Sequence, residues 1–267
     1  MSSVKELIDL SGRRALITGA AGGLGKIFAG ALAELGADLI LVDHPDSELE
    51  TLRDSLISQW GNGVEFHFCD LEIQDQRARL LAKIKSSNIG LNILINNAAF
   101  VGTSDLEGLT NSFEGQSIST WNRVINVNVT AIFELCQGLL PILKLAQGAN
   151  IINISSIYGK YGPDLRLYEG TSMGNPAAYA VSKGGLIQFT RWLATVAAPE
   201  VRVNVICPGG IFRNQPDEFV KRYESRTPLK RMAYEEDLIG AIAFLATDLS
   251  KYVTGQELMV DGGWGTW

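Results

Sequence analysis

RALITGAAGGLGKIFAGALAELG, residues 14–36, is the stretch on which the fold turns. A short apolar run, RALIT, is followed by TGAAGGLG, Thr18 to Gly25, and then by a helical pattern. Glycine at these places lets the backbone turn tightly and approach a pyrophosphate, while the helix N-terminus offers unpaired N–H groups. A glycine-rich turn alone says little, because many strand–helix junctions contain one. Here Asp43 follows 18 positions after Gly25, at the end of a second apolar run, DLILVD. A carboxylate there accepts hydrogen bonds from an adenosine ribose and repels a 2′-phosphate. His44 and Pro45 come next rather than an arginine, so the sequence favours NAD over NADP.

The same rhythm continues to the end of the chain. VEFHFCD, LNILIN, NIINIS, VRVNVIC and QELMVD are further strand candidates, most of them nearly continuous in apolar residues. Strands covered on both faces of a parallel sheet read this way. Between them lie helical patterns such as SELETLRDSLISQW and DQRARLLAKIKSS. The alternation predicts a single α/β domain over residues 1–267, a Rossmann-type doubly wound parallel sheet of about seven strands with helices on both faces. Two polar stretches, 101–120 and 158–176, are long for loops and rich in Gly, Ser and Thr. Both follow strand candidates, which puts them at the carboxyl edge of the sheet, where open α/β folds bind ligands.

With 46% hydrophobic and 19% charged residues, the 267-residue chain has the composition of an ordinary globular protein. A net charge of −6 argues against nucleic acid or an anionic membrane as partner. Cys69, Cys136 and Cys207 are far apart in apolar runs, which suggests buried free thiols in a reducing cytoplasm, with neither a disulfide framework nor a metal site. His44 and His67 are the only histidines, too few for a histidine-based triad or a zinc site. The N-terminal residues read as lacking a signal peptide, and no apolar run looks long enough to cross a bilayer.

In AYAVSKGG, residues 178–185, Tyr179 and Lys183 are spaced to share one helix face. That pair is common by chance, but it stands in a series: Thr18-Gly19-x-x-x-Gly23-x-Gly25, Asp70 in CDL, NNAA at 96–99, VNV at 127–129, ISS at 154–156, YAVSK at 179–183 and PGG at 208–210. Together, in this order, each at a strand end, they resemble the short-chain dehydrogenase/reductase family over nearly the whole chain. The resemblance implies a catalytic tetrad of Asn128, Ser156, Tyr179 and Lys183. It also implies cofactor contacts from Thr18, Gly19, Gly23, Leu24, Gly25, Asp43, Asp70, Leu71, Asn97, Ala98, Tyr179, Lys183, Pro208, Gly209 and Ile211. Asp70 would hold the adenine amino group, Asn96 would support the cofactor, and Asn128 would position a water linking Lys183 to solvent. Ser155 would be packed or bonded to backbone.

A tyrosine with a pKa near 10 is a poor base at neutral pH, and a nearby ammonium favours its phenolate. Lys183 is expected to have that effect on Tyr179 and, by the resemblance, to bind the nicotinamide ribose. Ser156 would hold the substrate oxygen. The chain departs from the family pattern in three places: a longer gap between Ser156 and Tyr179, a longer stretch after NNAA, and Arg213 in PGGIFRN where a threonine is common. Tyr158, Arg166, Tyr168 and Arg213 suggest a small hydrophilic substrate, with a phosphate or carboxylate for the arginines to hold. The run SIYG…PDLRLYEGTSM with the ending VDGGWGTW resembles a subgroup associated with bacterial surface-glycan and flagellin sugar modification, including nonulosonic acids. The alternatives are a reductase of 3-oxoacyl or polyol-type keto compounds, an NAD-binding regulator without catalysis, and a scaffold subunit. IFELCQGLLPIL and LIQFTRWLATVA would form the helical contacts of a homo-oligomer, a tetramer in preference to a dimer.

Overall fold

The computed structural model describes residues 3–87 and 89–267, so the reading of the N-terminus rests in part on Met1 and Ser2, outside the described residues. Helix α1 (Val4–Ile8) precedes β1 (Arg14–Thr18), α2 (Gly23–Glu34), β2 (Asp38–Asp43), α3 (Leu49–Trp60), β3 (Val64–Phe68) and α4 (Gln74–Ser86). After β4 (Ile93–Asn96), α5 (Ile118–Ile125) runs through a π-helical turn, Asn126–Ala131, into α6 (Ile132–Leu143) and then β5 (Asn150–Ile154). The chain closes with α7 (Ala177–Ala197), β6 (Arg202–Pro208), α8 (Asp217–Arg226), α9 (Ile239–Ala246) and β7 (Glu257–Val260). All seven strand candidates form, within two residues of the bounds read from sequence.

The strands lie in one sheet in the order β3-β2-β1-β4-β5-β6-β7, every neighbouring pair parallel. Their apolar runs are continuous because alternate residues serve opposite faces. Ala15, Ile17, Leu39, Leu41, Ile93, Ile95, Ile152 and Ile154 pack with α2, α3 and α9. Leu16, Ile40, Val42, Leu94 and Ile151 pack with α4, α6 and α7. Register keeps the second set together: Leu16 is opposite Ile40 and Leu94, and Leu94 is opposite Ile151. Burying one such leucine or isoleucine is worth about 1.5–3 kcal/mol, so a one-residue slip of any strand would be costly.

After β3 the chain returns to the far side of β1 to make β4, so a crevice opens between the carboxyl ends of β1 and β4. Thr18 and Asn97 fix its floor. The Thr18 hydroxyl accepts from the backbone of Asn97 and Ala98, 3.1 Å each, while the Asn97 amide donates to the carbonyls of Thr18 and Gly19, 3.0 Å each.

A buried polar chain fastens the sheet to α7. The Asn96 amide donates to Asn153 (2.8 Å), Asn153 donates to Thr190 (2.8 Å), and Thr190 donates to the Leu186 carbonyl (2.8 Å). The long helix Ile118–Leu143 corrects one sequence expectation: its 26 residues, with mean hydropathy 1.3 over an 18-residue window, do reach bilayer-crossing length, as core helices also can. Leu135, Cys136, Leu139 and Leu143 of this helix lie in the core against the sheet. The polar stretch 101–120 likewise ends inside α5, capped by Ser117. Asn153→Ala, which takes the acceptor from the Asn96 amide and a donor from the Thr190 hydroxyl, is expected to cost about 1–3 kcal/mol in urea unfolding; a loss below about 0.5 kcal/mol would show that the chain of amides contributes little.

Candidate active site

Two glycines of the first turn are required sterically. A Cβ on Gly25 would lie 2.0 Å from the Gly19 carbonyl oxygen, and one on Gly19, whose φ is +62°, would lie 2.9 Å from Ala98 Cα. Gly22 and Gly23 instead leave an open, exposed cradle at the start of α2, where the first-turn N–H groups have no intrahelical partner. The cleft above it has a volume of about 1150 Å³ and runs from Asp43 and Asp70 past Gly19, Gly23 and Leu24 to Tyr179 and Lys183. Leu71, Asn97, Ala98, Pro208, Gly209 and Ile211 also line it. Its length, open glycine cradle and terminal carboxylate fit a dinucleotide.

The Asp43 carboxylate is oriented by the loop it faces, accepting from Ala21 N and His44 N at 2.7 Å each. Each oxygen keeps a further lone pair for a ribose hydroxyl. His44 sits between carboxylates, 3.3 Å from Asp46 and 3.7 Å from Asp70. Asp70 is held by Glu72 N (2.8 Å).

At the other end, Pro176 starts α7 and places Tyr179 and Lys183 one turn apart. Ser156, two residues past β5, is near enough to the Tyr179 phenol to lower its pKa and accepts from Tyr158 N (3.2 Å). Lys183 is 3% exposed, and its ammonium donates to the Ile154 carbonyl at 2.8 Å. Burial pulls its pKa down to about 8. Burial pushes the Tyr179 phenol up, opposed by the Ser156 hydrogen bond and by the charge of Arg213. The Lys183 ammonium lies over the Tyr179 ring, 5.7 Å from its centre, while it donates to Ile154, so its charge acts on the phenol through space and not through a hydrogen bond. Ser155 donates to the Lys183 carbonyl (2.8 Å).

Several residues named from sequence fall outside the cleft. Thr18 and Gly25 support the turn from below, and Asn96 belongs to the buried polar chain. Asn128, fully buried in the π-helical turn, donates to the Phe100 carbonyl (2.9 Å) and Ser182 (3.1 Å) and accepts from Phe100 N (2.8 Å). Its side chain clamps the segment after NNAA, so any contact with a water would come from its backbone. Arg166 points into solvent and is chelated by Asp164 at 2.8 Å through each of Nε and Nη2. Spacing gave no warning of that local pairing. Arg213 does line the cleft, but beside Gly23 at the cofactor end.

The enlarged loops make the remaining wall. Gln116 accepts from Ala177 N (3.1 Å), and a Cβ on Gly174 would lie 3.2 Å from the Thr110 carbonyl, so the two loops pack on each other. Tyr168 and Tyr158 share a hydrogen bond of 2.9 Å, and Asn175, further along this wall, lies near the Tyr168 phenol with its Oδ1 buried and unpartnered among the described residues. Sequence reasoning missed Tyr223 and left Trp264 unplaced. Gly210 N donates to the Tyr223 hydroxyl (2.5 Å), and Trp264 stacks on Tyr223 at 4.4 Å between ring centres. A Cβ on Gly210 would lie 2.8 Å from that tyrosine ring, which explains the second glycine of PGG. The aromatic ending of the chain was the available signal.

A cleft of this form, ending on a serine, a tyrosine and a lysine, defines an oxidoreductase of the doubly wound, dinucleotide-binding class. A family model described as enoyl-(acyl carrier protein) reductase matches residues 19–265. A 3-oxoacyl-(acyl-carrier-protein) reductase of Thermotoga maritima is 31% identical over 95% of this chain and 98% of its own. A short-chain dehydrogenase of Leptospira borgpetersenii with bound NAD+ is 32% identical, with TM-score 0.83 over 99% of this chain and 96% of that one. A gluconate 5-dehydrogenase of Burkholderia cenocepacia, in complex with NADP and tartrate, is 25% identical, with TM-score 0.87 over 99% and 100%. The chain belongs to the short-chain dehydrogenase/reductase family.

The lysine has a consequence for stability. Its folded pKa of about 8 lies below the ordinary 10.5, so between those values the unfolded chain binds more protons and stability rises with pH. The full cost of burying the charge is present below pH 8. Lys183→Met is expected to be more stable than the parent at pH 7, by on the order of 1–3 kcal/mol, with the advantage shrinking toward pH 10.5. Thermal unfolding across pH measures this; a constant or widening advantage would contradict it.

Proposed function

We infer that the chain, acting as one domain, uses NAD to interconvert a secondary alcohol and a ketone on a small hydroxylated molecule, a sugar or sugar derivative. The observation that carries the reading is the Tyr158–Tyr168–Asn175 wall facing the same cleft as Ser156 and Tyr179. Burial keeps the Tyr158 phenol neutral, well above its ordinary pKa. Tyr158 and Tyr168 share one hydrogen bond, so the pair keeps one phenolic O–H free to donate to a substrate oxygen. When bound, the nicotinamide supplies or accepts the hydride. Ser156 holds the reacting oxygen, and Tyr179 gives it a proton in reduction or takes one in oxidation. Lys183 holds the nicotinamide ribose and passes the proton onward. The finer assignment, to surface-glycan or nonulosonic sugar synthesis, rests on the sequence resemblance.

NAD is favoured because three carboxylates, Asp43, Asp46 and Asp70, line one end of the cleft, where they would repel a 2′-phosphate on the adenosine ribose. The Leptospira relative holds NAD+ and the Burkholderia relative NADP, so a direct titration decides between them. A second reading, reduction of 3-oxoacyl thioesters, is favoured by the description of the family model and by the Thermotoga relative. We also place a second copy of the chain on the exposed apolar face formed by Phe133, Val181, Trp192 and Val196 of α6 and α7, giving a tetramer or a dimer. A cytoplasmic setting agrees with the three buried free thiols.

Tyr179→Phe is expected to lower kcat at least a thousandfold while the affinity for NADH changes less than about threefold. Tyr158→Phe is expected to raise KM for a hydroxylated ketone about tenfold with kcat nearly kept. A panel of sugars, sugar acids and acyl thioesters tests the substrate class, and turnover of thioesters alone would give the second reading. Sedimentation as a monomer at working concentration would remove the second copy.

A further inference from the structure

We propose that Arg213, aimed by Glu235, is a clasp on the cofactor's pyrophosphate. The inference rests on the dinucleotide reading above and moves Arg213 from the substrate to the cofactor. A Cβ on Gly23 would lie 2.9 Å from Arg213 Nη2 and 2.8 Å from Glu235 Oε1, so the ion pair hangs over the first residue of α2. Gly23 is the open glycine of the turn, the one whose missing side chain faces a charged pair rather than protein backbone.

Charge calls for such a group. A pyrophosphate carries two negative charges, whereas a helix N-terminus offers about half a positive one. The turn Thr18–Gly25 contains no basic residue, and among the described residues lining the cleft near it the cations are Lys26, exposed in the first turn of α2, and Arg213, the only one with a guanidinium fork. Glu235 holds Nε at 2.9 Å, and no acceptor in the described residues takes the Nη hydrogens, which leaves one edge of the fork for two phosphate oxygens. The backbone is set in advance. Arg213 N donates to Gln215 (2.7 Å), whose amide donates to the Ile211 carbonyl (2.8 Å). Phe212 N donates to the Ala233 carbonyl (2.7 Å), and Ala233 N to that of Gly210 (3.0 Å), tying the loop to the strand of chain that leads into Glu235.

The test is calorimetric binding of ADP-ribose and of adenosine to the full chain, Arg213→Ala and Glu235→Ala, with thermal melting of each unliganded variant as a check on folding. Arg213→Ala is expected to weaken ADP-ribose tenfold or more, to flatten the salt dependence of that affinity, and to leave adenosine unchanged. Glu235→Ala is expected to weaken ADP-ribose by a few fold. Undiminished ADP-ribose binding by Arg213→Ala, or equal weakening of both ligands, would overturn the clasp. Tighter ADP-ribose binding by Glu235→Ala would overturn the part given to Glu235, making its carboxylate a competitor. A parent chain that binds neither ligand would instead overturn the dinucleotide reading itself.

Discussion

The bond from the Lys183 ammonium to the Ile154 carbonyl organises the reacting end of the molecule. It carries a cation into a place almost closed to water and joins α7 to the last residue of β5. Ser155 completes the joint by donating to the carbonyl of Lys183, and Gly159 lies so close that a Cβ there would be 2.7 Å from that carbonyl. Ser156 and Tyr179 follow from this: one is next to the joint just past the strand, the other one turn before it on the helix. Their mutual reach is thus set by two short links from a single anchor. Desolvation opposes the arrangement, as the lowered pKa of the lysine records. A chain selected for stability alone would place an apolar side chain there.

That anchor was readable from sequence as a pair, though its internal arrangement was not. Strand existence was legible because burial on two faces leaves long apolar runs, and the glycine turn because only glycine fits where Gly25 meets Gly19. Side-chain destinations were harder. Arg166 reads like Arg213 in sequence, yet a carboxylate two residues before it captures its guanidinium, while Arg213 finds Glu235 from a distant segment. Asn128 shows the same limit. A π-helical turn shifts its side chain toward Phe100, and nothing in VNV reveals that extra residue per turn. Tyr223 escaped notice because α8 carries no motif, and its importance comes only from contact with Gly210.

The insertions are positioned by contacts that are absent from both ends of their own sequence. Arg226 of α8 donates to Asp164 (3.0 Å), and Arg222 donates to the carbonyls of Leu167 and Glu169. Tyr168 packs on Phe219 of the same helix, at 5.3 Å between ring centres. The polar wall is therefore held by α8 from outside and by the loop through Thr110 and Gln116 on the other side. Trp264 stacks beneath Tyr223 of that helix, and Arg226 lies over the Trp264 ring at 4.8 Å, so the end of the chain braces the substrate wall and the PGG loop together. A change at the C-terminus would reach both of these walls of the cleft through one helix.

Charge is distributed along the cleft as well as across it. Asp43, Asp46 and Asp70 gather at one end, Lys26 and Arg213 near the glycine cradle, and Lys183 at the other end. A dinucleotide lying along this path would meet carboxylates where it offers ribose hydroxyls and an adenine amino group, and cations where it carries phosphate. Because the pyrophosphate is the middle of such a molecule, the cations would fix its position along the cleft, and its direction is left to the groups at the two ends. The same distribution also explains how a chain of net charge −6 can receive an anionic ligand. At the cradle the Glu235 carboxylate is paired with Arg213, and Lys26 adds a cation to the half-charge of α2.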